Sequence, residues 1–272
     1  MQLGIKKKIL TVSGVILGAL IVTTLGIDAA DTLKGSRSTL LGQLITATDS
    51  GCPSGMIESP ASVTFTCVDV YEASPSEKCT DVSMSSPVSV EAALDRNDCQ
   101  AISTEKVSPW SNVNRADAQL LCTRSGKRLP TASEWYEFSI GTPDDPKVCN
   151  TDTDGVNATG DESECVSALG IYDAIGNVWE WVQDDVYDGT YDGRPLPSSG
   201  YVTQIDSGGV PTVVGENTEG YNDDYFWSKS VGVFAMMRGG FYGSGKDGGV
   251  YAVHAATDPN FTSNAIGFRC VQ

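Results

Sequence analysis

Hydrophobic residues follow three patterns along this chain. Ile9 to Ile27 form a run of nineteen residues without a charge, directly after three lysines. From residue 52 onward, apolar residues come in short groups separated by Gly, Pro, Asp and Ser, which is typical of short strands joined by loops. Two segments interrupt this pattern with helical spacing. The chain therefore has a hydrophobic N-terminal segment and a loop-rich α+β region.

The two helices are predicted from their spacing and their ends. The first covers residues 115–124 and stops near Gly126, and the second begins at Thr131 and ends at Gly141. Thr131 and Glu134 have the spacing of a capping box, in which each side chain accepts the free N–H of the other residue. The residues that share a face are Ala118, Leu121 and Cys122 in the first helix, and Trp135 and Phe138 in the second.

Elsewhere the pattern predicts strands and loops. Residues 63–71 alternate between apolar and polar side chains, which indicates a strand. Residues 73–111 hold Ser, Pro and two cysteines and are predicted to be a disulfide-held loop. We expect no further helix beyond Gly141. The fold class is therefore α+β, with two helices and a short twisted sheet.

The N-terminal segment determines the compartment. As a helix, residues 9–27 would span about 28 Å at about 1.5 Å per residue, close to the hydrocarbon core of a bilayer. Residues 1–30 are thus predicted to be a membrane anchor or a secretory signal. Residues 31–51 are small and polar, typical of a stalk. In either case residues 52–272 are exported, and the protein is secreted or anchored at the cell surface, where residues 9–27 contact the membrane if they are not cleaved.

The charge balance excludes some functions. The chain has 35 acidic and 18 basic residues, a net charge of −17. A nucleic-acid partner is not expected, because its phosphates would be repelled. His254 is the only histidine, which excludes metal centres built from several histidines.

Eight cysteines in an exported region predict four disulfides. No C-x-x-C spacing occurs, so zinc and thioredoxin-like redox sites are disfavoured. The cysteines allow 105 pairings. Proximity along the chain favours three local bridges and leaves one pair over: Cys52–Cys67, Cys79–Cys99 and Cys149–Cys165, with Cys122 and Cys270 remaining.

Four segments in a fixed order carry a family resemblance: Gly126–Thr131 followed by Glu134-Trp135, Gly176–Trp181, Arg238–Phe241 and Gly267–Cys270. Together with Val70–Glu72, they closely resemble the formylglycine-generating-enzyme (sulfatase-modifying factor) domain, over roughly residues 53–272. The resemblance implies this family's variant of the C-type-lectin fold, with long loops held by disulfides. It also supports a bridge between Cys122 and Cys270.

The catalytic residues of the family are missing. Its oxidase members carry two reactive cysteines just after the R-G-G motif, where they bind copper(I). Residues 241–251 contain no cysteine, and a soft copper(I) ion needs thiolates. Members that oxidise sulfur compounds hold iron with several histidines in an additional domain, which one histidine cannot replace. We therefore assign no catalytic residue, expect no copper and favour a protein that is not an enzyme.

The resemblance also implies a calcium site. Its ligands would be the carboxylates of Asp173 and Glu180 and the backbone carbonyls of Gly176 and Val178. Calcium binds six to eight oxygens of these kinds. The alternative is that Glu180 pairs with a nearby arginine and that the flanking tryptophans belong to the core.

A second acidic segment has the alternating oxygens of a calcium loop, with a glycine at the turn and a closing carboxylate. The candidate ligands are Asn150, Asp152, Asp154 and Asp161. The flanks are cysteines rather than helices, and Asp reaches less far than the Glu that usually closes such loops. A solvated acidic loop is the alternative interpretation.

Residues 241–265, which we call the C-terminal window, are predicted to bind a ligand. Aromatic faces and mixed donors and acceptors are typical of adaptable recognition surfaces. The candidates are Tyr242, Ser244, Lys246, Asp247, Tyr251, His254, Phe261 and Asn264. The window also resembles the variable region of proteins diversified by retroelements. An ordinary surface loop with one core strand, in which Val250, Ala252 and Ile266 point inward, is the alternative.

Three functional hypotheses follow. The first is a non-catalytic, calcium-stabilised surface or secreted protein that binds an external protein or carbohydrate through the C-terminal window. The second is an exported oxidoreductase of the same family with a redox centre that the sequence does not reveal. The third is a structural surface subunit that assembles through its N-terminal segment.

Overall fold

The computed structural model describes residues 51–79, 87–216 and 219–272. The predicted membrane or signal segment, residues 1–30, lies outside this part of the chain, as does nearly all of the predicted stalk. Among the described residues, no helix has the length and apolar character needed to cross a membrane.

The described residues form three α-helices and thirteen short strands. The helices are α1 (Pro87–Leu94), α2 (Arg115–Arg124) and α3 (Ala132–Ser139). The strands are β1 (Met56–Glu58), β2 (Cys67–Asp69), β3 (Ala73–Pro75), β4 (Ala101–Ser103), β5 (Trp179–Tyr187), β6 (Thr190–Tyr191), β7 (Arg194–Pro195), β8 (Gly200–Ile205), β9 (Pro211–Gly215), β10 (Tyr225–Ser228), β11 (Val233–Arg238), β12 (Val253–Thr257) and β13 (Ile266–Gly267).

The main sheet has nine strands in the order β7-β6-β5-β11-β12-β10-β8-β9, with β13 beside β5. Its pairs are antiparallel except β10 with β12 and β5 with β13, which run parallel. The C-terminal window thus contributes a central strand, β12. Val250, Ala252 and Ile266 are buried, as the alternative interpretation of this window predicted.

Both predicted helices are confirmed, together with the causes of their ends. Thr131 caps α3, and its hydroxyl accepts the N–H of Glu134 while the Glu134 carboxylate accepts the N–H of Thr131. The first helix begins with a second capping box, formed by Asn114 and Asp117. The predicted inner faces of both helices are buried.

Two predictions about the N-terminal third are wrong. The segment predicted as a loop contains α1, a helix of about two turns that buries Val90 and Ala93, so little periodicity is present to recognise. The predicted strand over residues 63–71 shrinks to β2. Val63 is 98% exposed, so burial begins only at Phe65, where the alternation first meets the core.

The four disulfides use all eight cysteines, in the pairing that proximity suggested: Cys52–Cys67, Cys79–Cys99, Cys122–Cys270 and Cys149–Cys165. Structural disulfides of this number persist in oxidising compartments. The domain is therefore extracellular or lumenal. The loop-rich, disulfide-held α+β organisation is confirmed, although with one more helix than predicted and a larger sheet.

Candidate functional site

Three aromatic side chains from different strands form a continuous surface at one end of the sheet. Trp227 of β10 and His254 of β12 are direct neighbours in the parallel pair, and their rings stack with centroids 5.4 Å apart and an interplanar angle of 17°. Trp179 of β5 meets both rings edge-on, at 5.6 Å and 5.8 Å. Strand pairing therefore assembles residues that are far apart in the sequence.

His254 is uncharged at neutral pH. Burial, together with the nearby positive charge of Lys229, lowers the pKa of its imidazole to about 4. Its Nδ1 lies 2.8 Å from the Thr257 hydroxyl, which fixes the orientation of the ring. The imidazole therefore acts as a flat aromatic surface rather than as a cation.

Two adjoining cavities lie on these rings and share Trp179, Phe241 and His254. Their volumes are about 570 Å³ and about 250 Å³. We call them together the aromatic groove, which is lined by Trp179, Trp227, Phe241, Tyr242, His254 and Phe261. Polar groups stand at its walls, and Asn264 Nδ2 donates to the Tyr242 hydroxyl at 3.4 Å.

Most of the predicted ligand-binding residues line the groove. Tyr242, His254, Phe261 and Asn264 belong to the larger cavity, and Ser244, Asp247 and His254 to the smaller one. Two predicted residues are not brought into it. The Lys246 ammonium lies over the Tyr201 ring at 5.6 Å, and the Tyr251 ring packs against Tyr136 and Tyr221.

The sequence did not indicate three of the groove residues. Trp179 and Phe241 belong to the family motifs but are not among the predicted ligand-binding residues, and Trp227 belongs to neither set. The run Tyr225-Phe226-Trp227 is aromatic throughout and predicts a strand, but it does not indicate that Phe226 points into the core and that Trp227 lies on the opposite face. No pattern in the neighbouring residues indicates that the strand of Trp227 pairs with the strand of His254.

A larger hollow, of about 810 Å³, lies elsewhere on the domain. Most of its walls come from residues 195–199 and 228–231, among which Ser and Pro predominate. It contains none of the residues that the sequence analysis assigned to a site, and no aromatic side chain lines it. We therefore take the aromatic groove as the candidate functional site.

The first predicted calcium segment is built around an ion pair. Arg269 is fully buried and donates from Nε and Nη2 to the Glu180 carboxylate. Trp135 Nε1 donates to the same carboxylate at 2.7 Å. Each Glu180 oxygen thereby accepts two hydrogen bonds, so a metal ion at this segment would have to share the carboxylate with Arg269. The alternative pairing of Glu180 with an arginine is present.

Three carboxyl groups nevertheless surround that one arginine. Glu72 accepts hydrogen bonds from Asn177 Nδ2 and the Val178 N–H, and Asp173 accepts the Gly160 N–H at 2.6 Å. Burial raises the pKa of Asp173 to about 6, and burial with the neighbouring carboxylates raises the pKa of Glu72 well above its ordinary value. Carboxyl groups thus outnumber the single arginine at this buried position, and the raised pKa values show that their ionised forms are disfavoured there.

The second predicted segment does not converge on one point. Asn150 is buried, with its amide donating to Gly155 O and Asn177 Oδ1, whereas Asp152 and Asp154 are exposed. Asp161 forms a 3.0 Å ion pair with Lys106. Within the described ranges, no group of three or more His, Cys, Asp or Glu side chains is arranged to hold a metal ion. Calcium at both segments stays a prediction.

The fold and the groove define a disulfide-stabilised α+β domain with an aromatic surface site. Residues 70–272 match the sequence model of the sulfatase-modifying factor enzyme 1-like domain. Because this match covers well over half of the chain, the protein belongs to that family, as its four ordered motifs predicted.

Individual relatives match over shorter stretches. The formylglycine-generating enzyme of Mus musculus is 34% identical over 100 residues, which cover 28% of this chain and 27% of the enzyme. The inactive C-alpha-formylglycine-generating enzyme 2 of Bos taurus is 30% identical over 122 residues, which cover 36% of this chain and 40% of that protein. The chain thus spans less than half the length of these curated relatives.

Solved structures of similar fold have low sequence identity. The Major Tropism Determinant P3c variant is 19% identical with a TM-score of 0.43, covering 81% of this chain and 52% of that one. Treponema denticola variable protein 1 is 16% identical with a TM-score of 0.37, covering 62% of this chain and 72% of that one.

Proposed function

We propose that this protein is an exported, non-catalytic binding module that recognises an external ligand through the aromatic groove. The observation that carries the proposal is the uncharged floor of Trp179, Trp227 and His254 beneath two adjoining cavities. Flat aromatic faces with polar groups at the rim bury area at a low cost in conformational entropy. The N-terminal segment would anchor or export the domain.

The chemistry of the groove favours a protein or carbohydrate ligand. Aromatic faces pack against apolar side chains or against the apolar face of a sugar ring, while Ser244, Asn264 and Asp247 supply hydrogen bonds at the walls. The window that builds these walls is also the segment that resembles a diversified variable region. We propose that differences within it change which ligand is bound.

The state of the cysteines supports a non-catalytic role. All eight are paired in disulfides, so a thiolate copper centre would require one bridge to be reduced. The imidazole of His254, which burial holds neutral, stacks on Trp227. The competing oxidoreductase hypothesis therefore needs oxygen- or copper-dependent turnover, and detection of such turnover would overturn our proposal.

Phe261→Ala is expected to reduce ligand affinity at least about tenfold, because an aromatic anchor in a groove carries a large share of binding energy. Phe261 is 53% exposed in the larger cavity, so its removal leaves the fold intact. The measurement is binding of the full chain, in detergent, to arrays of glycans and of surface proteins, followed by titration of each hit.

Tyr187→Ala is the matched control, since Tyr187 is 57% exposed and lies outside the aromatic groove. It should leave every affinity unchanged. A ligand whose affinity falls equally in both variants, or in neither, would contradict the assignment of the groove. Hits confined to glycans or to proteins decide between the two ligand classes.

We also propose that calcium stabilises the domain at the first segment, supported by the excess of buried carboxyl groups around Arg269. The ion would have to share Glu180 with that arginine. Chelation is expected to lower the melting temperature of the parent chain, and Asp173→Ala to remove part of this calcium-dependent shift. Scanning calorimetry with and without chelator measures both.

Asp188→Ala controls for the local geometry of this substitution. Asp188 also has a positive φ, 46° against 56° for Asp173, and its carboxylate also accepts one backbone N–H, that of Gly232. Its variant should keep the full calcium-dependent shift. If chelation leaves the parent unchanged, or if Asp173→Ala keeps the whole shift, calcium does not bind at this segment.

A further inference from the structure

A buried carboxyl group and a half-buried one meet at a position that neither the family motifs nor the aromatic groove includes. Asp144 lies in the loop after α3, and Asp224 lies just before β10. Asp224 is fully buried, and its Oδ2 accepts the Tyr251 N–H at 2.6 Å. Asp224 Oδ1 and Asp144 Oδ2 are shielded from solvent and accept no hydrogen bond from the described residues.

The unpaired oxygens converge on one small volume beside Gly249. A Cβ atom placed on this glycine would lie 2.1 Å and 2.5 Å from the two Asp224 oxygens and 2.6 Å from Asp144 Oδ2. Any side chain at position 249 would therefore collide with carboxylate oxygens. The absence of a side chain at Gly249 therefore allows three oxygens of two acidic residues to converge beside its backbone.

In the part of the chain that the structure describes, no Lys or Arg side chain forms an ion pair with either carboxyl group. Arg238 acts on Asp224 from a distance, but its Nη1 and Nη2 donate to the carbonyl oxygens of Gly209 and Val250. The adjacent residues, Asp145 and Asp223, add further negative charge.

Buried carboxylates without donors are costly unless a proton or a metal ion compensates them. Burial raises the pKa of Asp144 to about 6 and that of Asp224 well above its ordinary value, and the second carboxylate adds to the effect on Asp224. One proton shared between the two groups would compensate the pair, and a divalent cation in the place of that proton would neutralise both carboxylates.

The geometry points to a binding site for a hard divalent cation, of the calcium class, between Asp144 and Asp224. All donors at this position are oxygens, which hard cations prefer over nitrogen or sulfur ligands. Two carboxylates supply the protein charge, and the Asn222 side chain, which hydrogen-bonds Asp144, adds an amide oxygen within the same loop. Water and backbone carbonyls would complete the coordination shell.

Such an ion would stabilise the aromatic groove indirectly, through the strands that form its floor. Asp224 accepts the N–H of Tyr251, and Tyr251 lies two residues before the start of β12. Asp224 also directly precedes the first residue of β10. These are the two strands whose pairing stacks His254 on Trp227. The cation would join the loop after α3 to both strands and so fix the floor of the aromatic groove.

The test compares Asp144→Asn with Asp145→Asn, its exposed neighbour in the same loop, in the full chain at pH 7.5. With chelator, Asp144→Asn should melt at or above the temperature of the parent, because an amide relieves the repulsion and can donate to Asp224. With calcium chloride, Asp144→Asn should gain clearly less stability than the parent and Asp145→Asn, because only the contribution of calcium at the first segment remains to it.

Terbium(III), which occupies calcium sites, gives a second measurement on the folded protein. The Tyr136, Tyr221 and Tyr251 rings pack together next to Asp224, so terbium bound there should emit on tyrosine excitation. Asp144→Asn should lose this emission, whereas Asp145→Asn and Asp173→Ala should keep it. Asp173→Ala separates this site from the calcium site proposed for the family motif.

Two results would overturn the inference. One is an equal calcium gain and equal terbium emission in Asp144→Asn and the parent. The other is a parent chain that responds to neither ion and gains stability only as the pH falls from about 6 towards 4, which would show that the pair shares a proton instead. Loss of the response in both Asp144→Asn and Asp145→Asn would also contradict it, since general surface charge would then be the cause.

Discussion

Arg269→Met is expected to destabilise the domain by about 3–5 kcal/mol, the usual cost of removing one partner of a buried ion pair. The substitution leaves the carboxyl groups of Glu180, Glu72 and Asp173 together in the core without a positive charge. It also removes the hydrogen bonds that Arg269 donates to the carbonyl oxygens of Asp69 and Tyr172. Urea unfolding at pH 7 measures the loss.

A double variant separates charge from packing. Arg269→Met combined with Glu180→Gln should recover part of the lost stability, because the most tightly paired carboxylate is then neutral.

Lys127→Met is a useful comparison for the size of the Arg269→Met effect. It breaks the buried Lys127–Asp69 pair, with its 2.6 Å contact, but Asp69 keeps the hydrogen bond from the Cys270 N–H. An Arg269→Met loss no larger than that of Lys127→Met would contradict this account.

The second large effect is expected from the bridge between α2 and the C-terminus. Replacing Cys122 and Cys270 together by serine should cost about 5 kcal/mol, because the bridge closes a long loop and its loss restores the entropy of the unfolded chain. The two cysteines are 148 residues apart in the sequence and both are fully buried. The free energy of unfolding in denaturant is the quantity to compare.

The matched control is the double serine variant of Cys52 and Cys67, which are 15 residues apart. The same entropic argument gives about 3 kcal/mol for this shorter loop. We therefore expect the long-range variant to lose clearly more stability than the local one. Equal losses, or the reverse order, would show that packing around the sulfur atoms determines the effect and not the length of the closed loop.

Local chemistry explains which parts of the fold were predictable. The capping box of Thr131 and Glu134 and the inner faces of α2 and α3 depend on residues within one or two turns of each other, so the sequence displays them directly. The disulfides were predictable for a similar reason, since three of them join neighbouring cysteines. The sequence does not reveal α1, because a helix of eight residues is too short to show a clear period.

The site was predictable only in part, because pairing between distant strands builds it. The composition of the C-terminal window predicted Tyr242, His254 and Phe261 as ligand-binding residues, and all three line the aromatic groove. Trp227 reaches the groove only through the parallel pairing of β10 with β12, and no local pattern reveals such a register.

The same limit applies to Asp144 and Asp224. They lie 80 residues apart in the numbering and carry no motif, and their meeting point depends on a glycine that looks unremarkable in sequence. Conversely, Asp152 and Asp154 matched a calcium-loop pattern, but the fold exposes them and pairs Asp161 with Lys106. Spacing alone does not report the direction in which a loop turns its side chains.

The bridge between Cys122 and Cys270 also determines what a protease can do to this protein. Every residue that lines the aromatic groove lies between these two cysteines in the chain. A single cut anywhere in that stretch, including the exposed turn at Val231, produces two fragments that remain covalently joined. A nicked molecule therefore keeps both halves of its recognition surface on one particle and separates into fragments only after reduction.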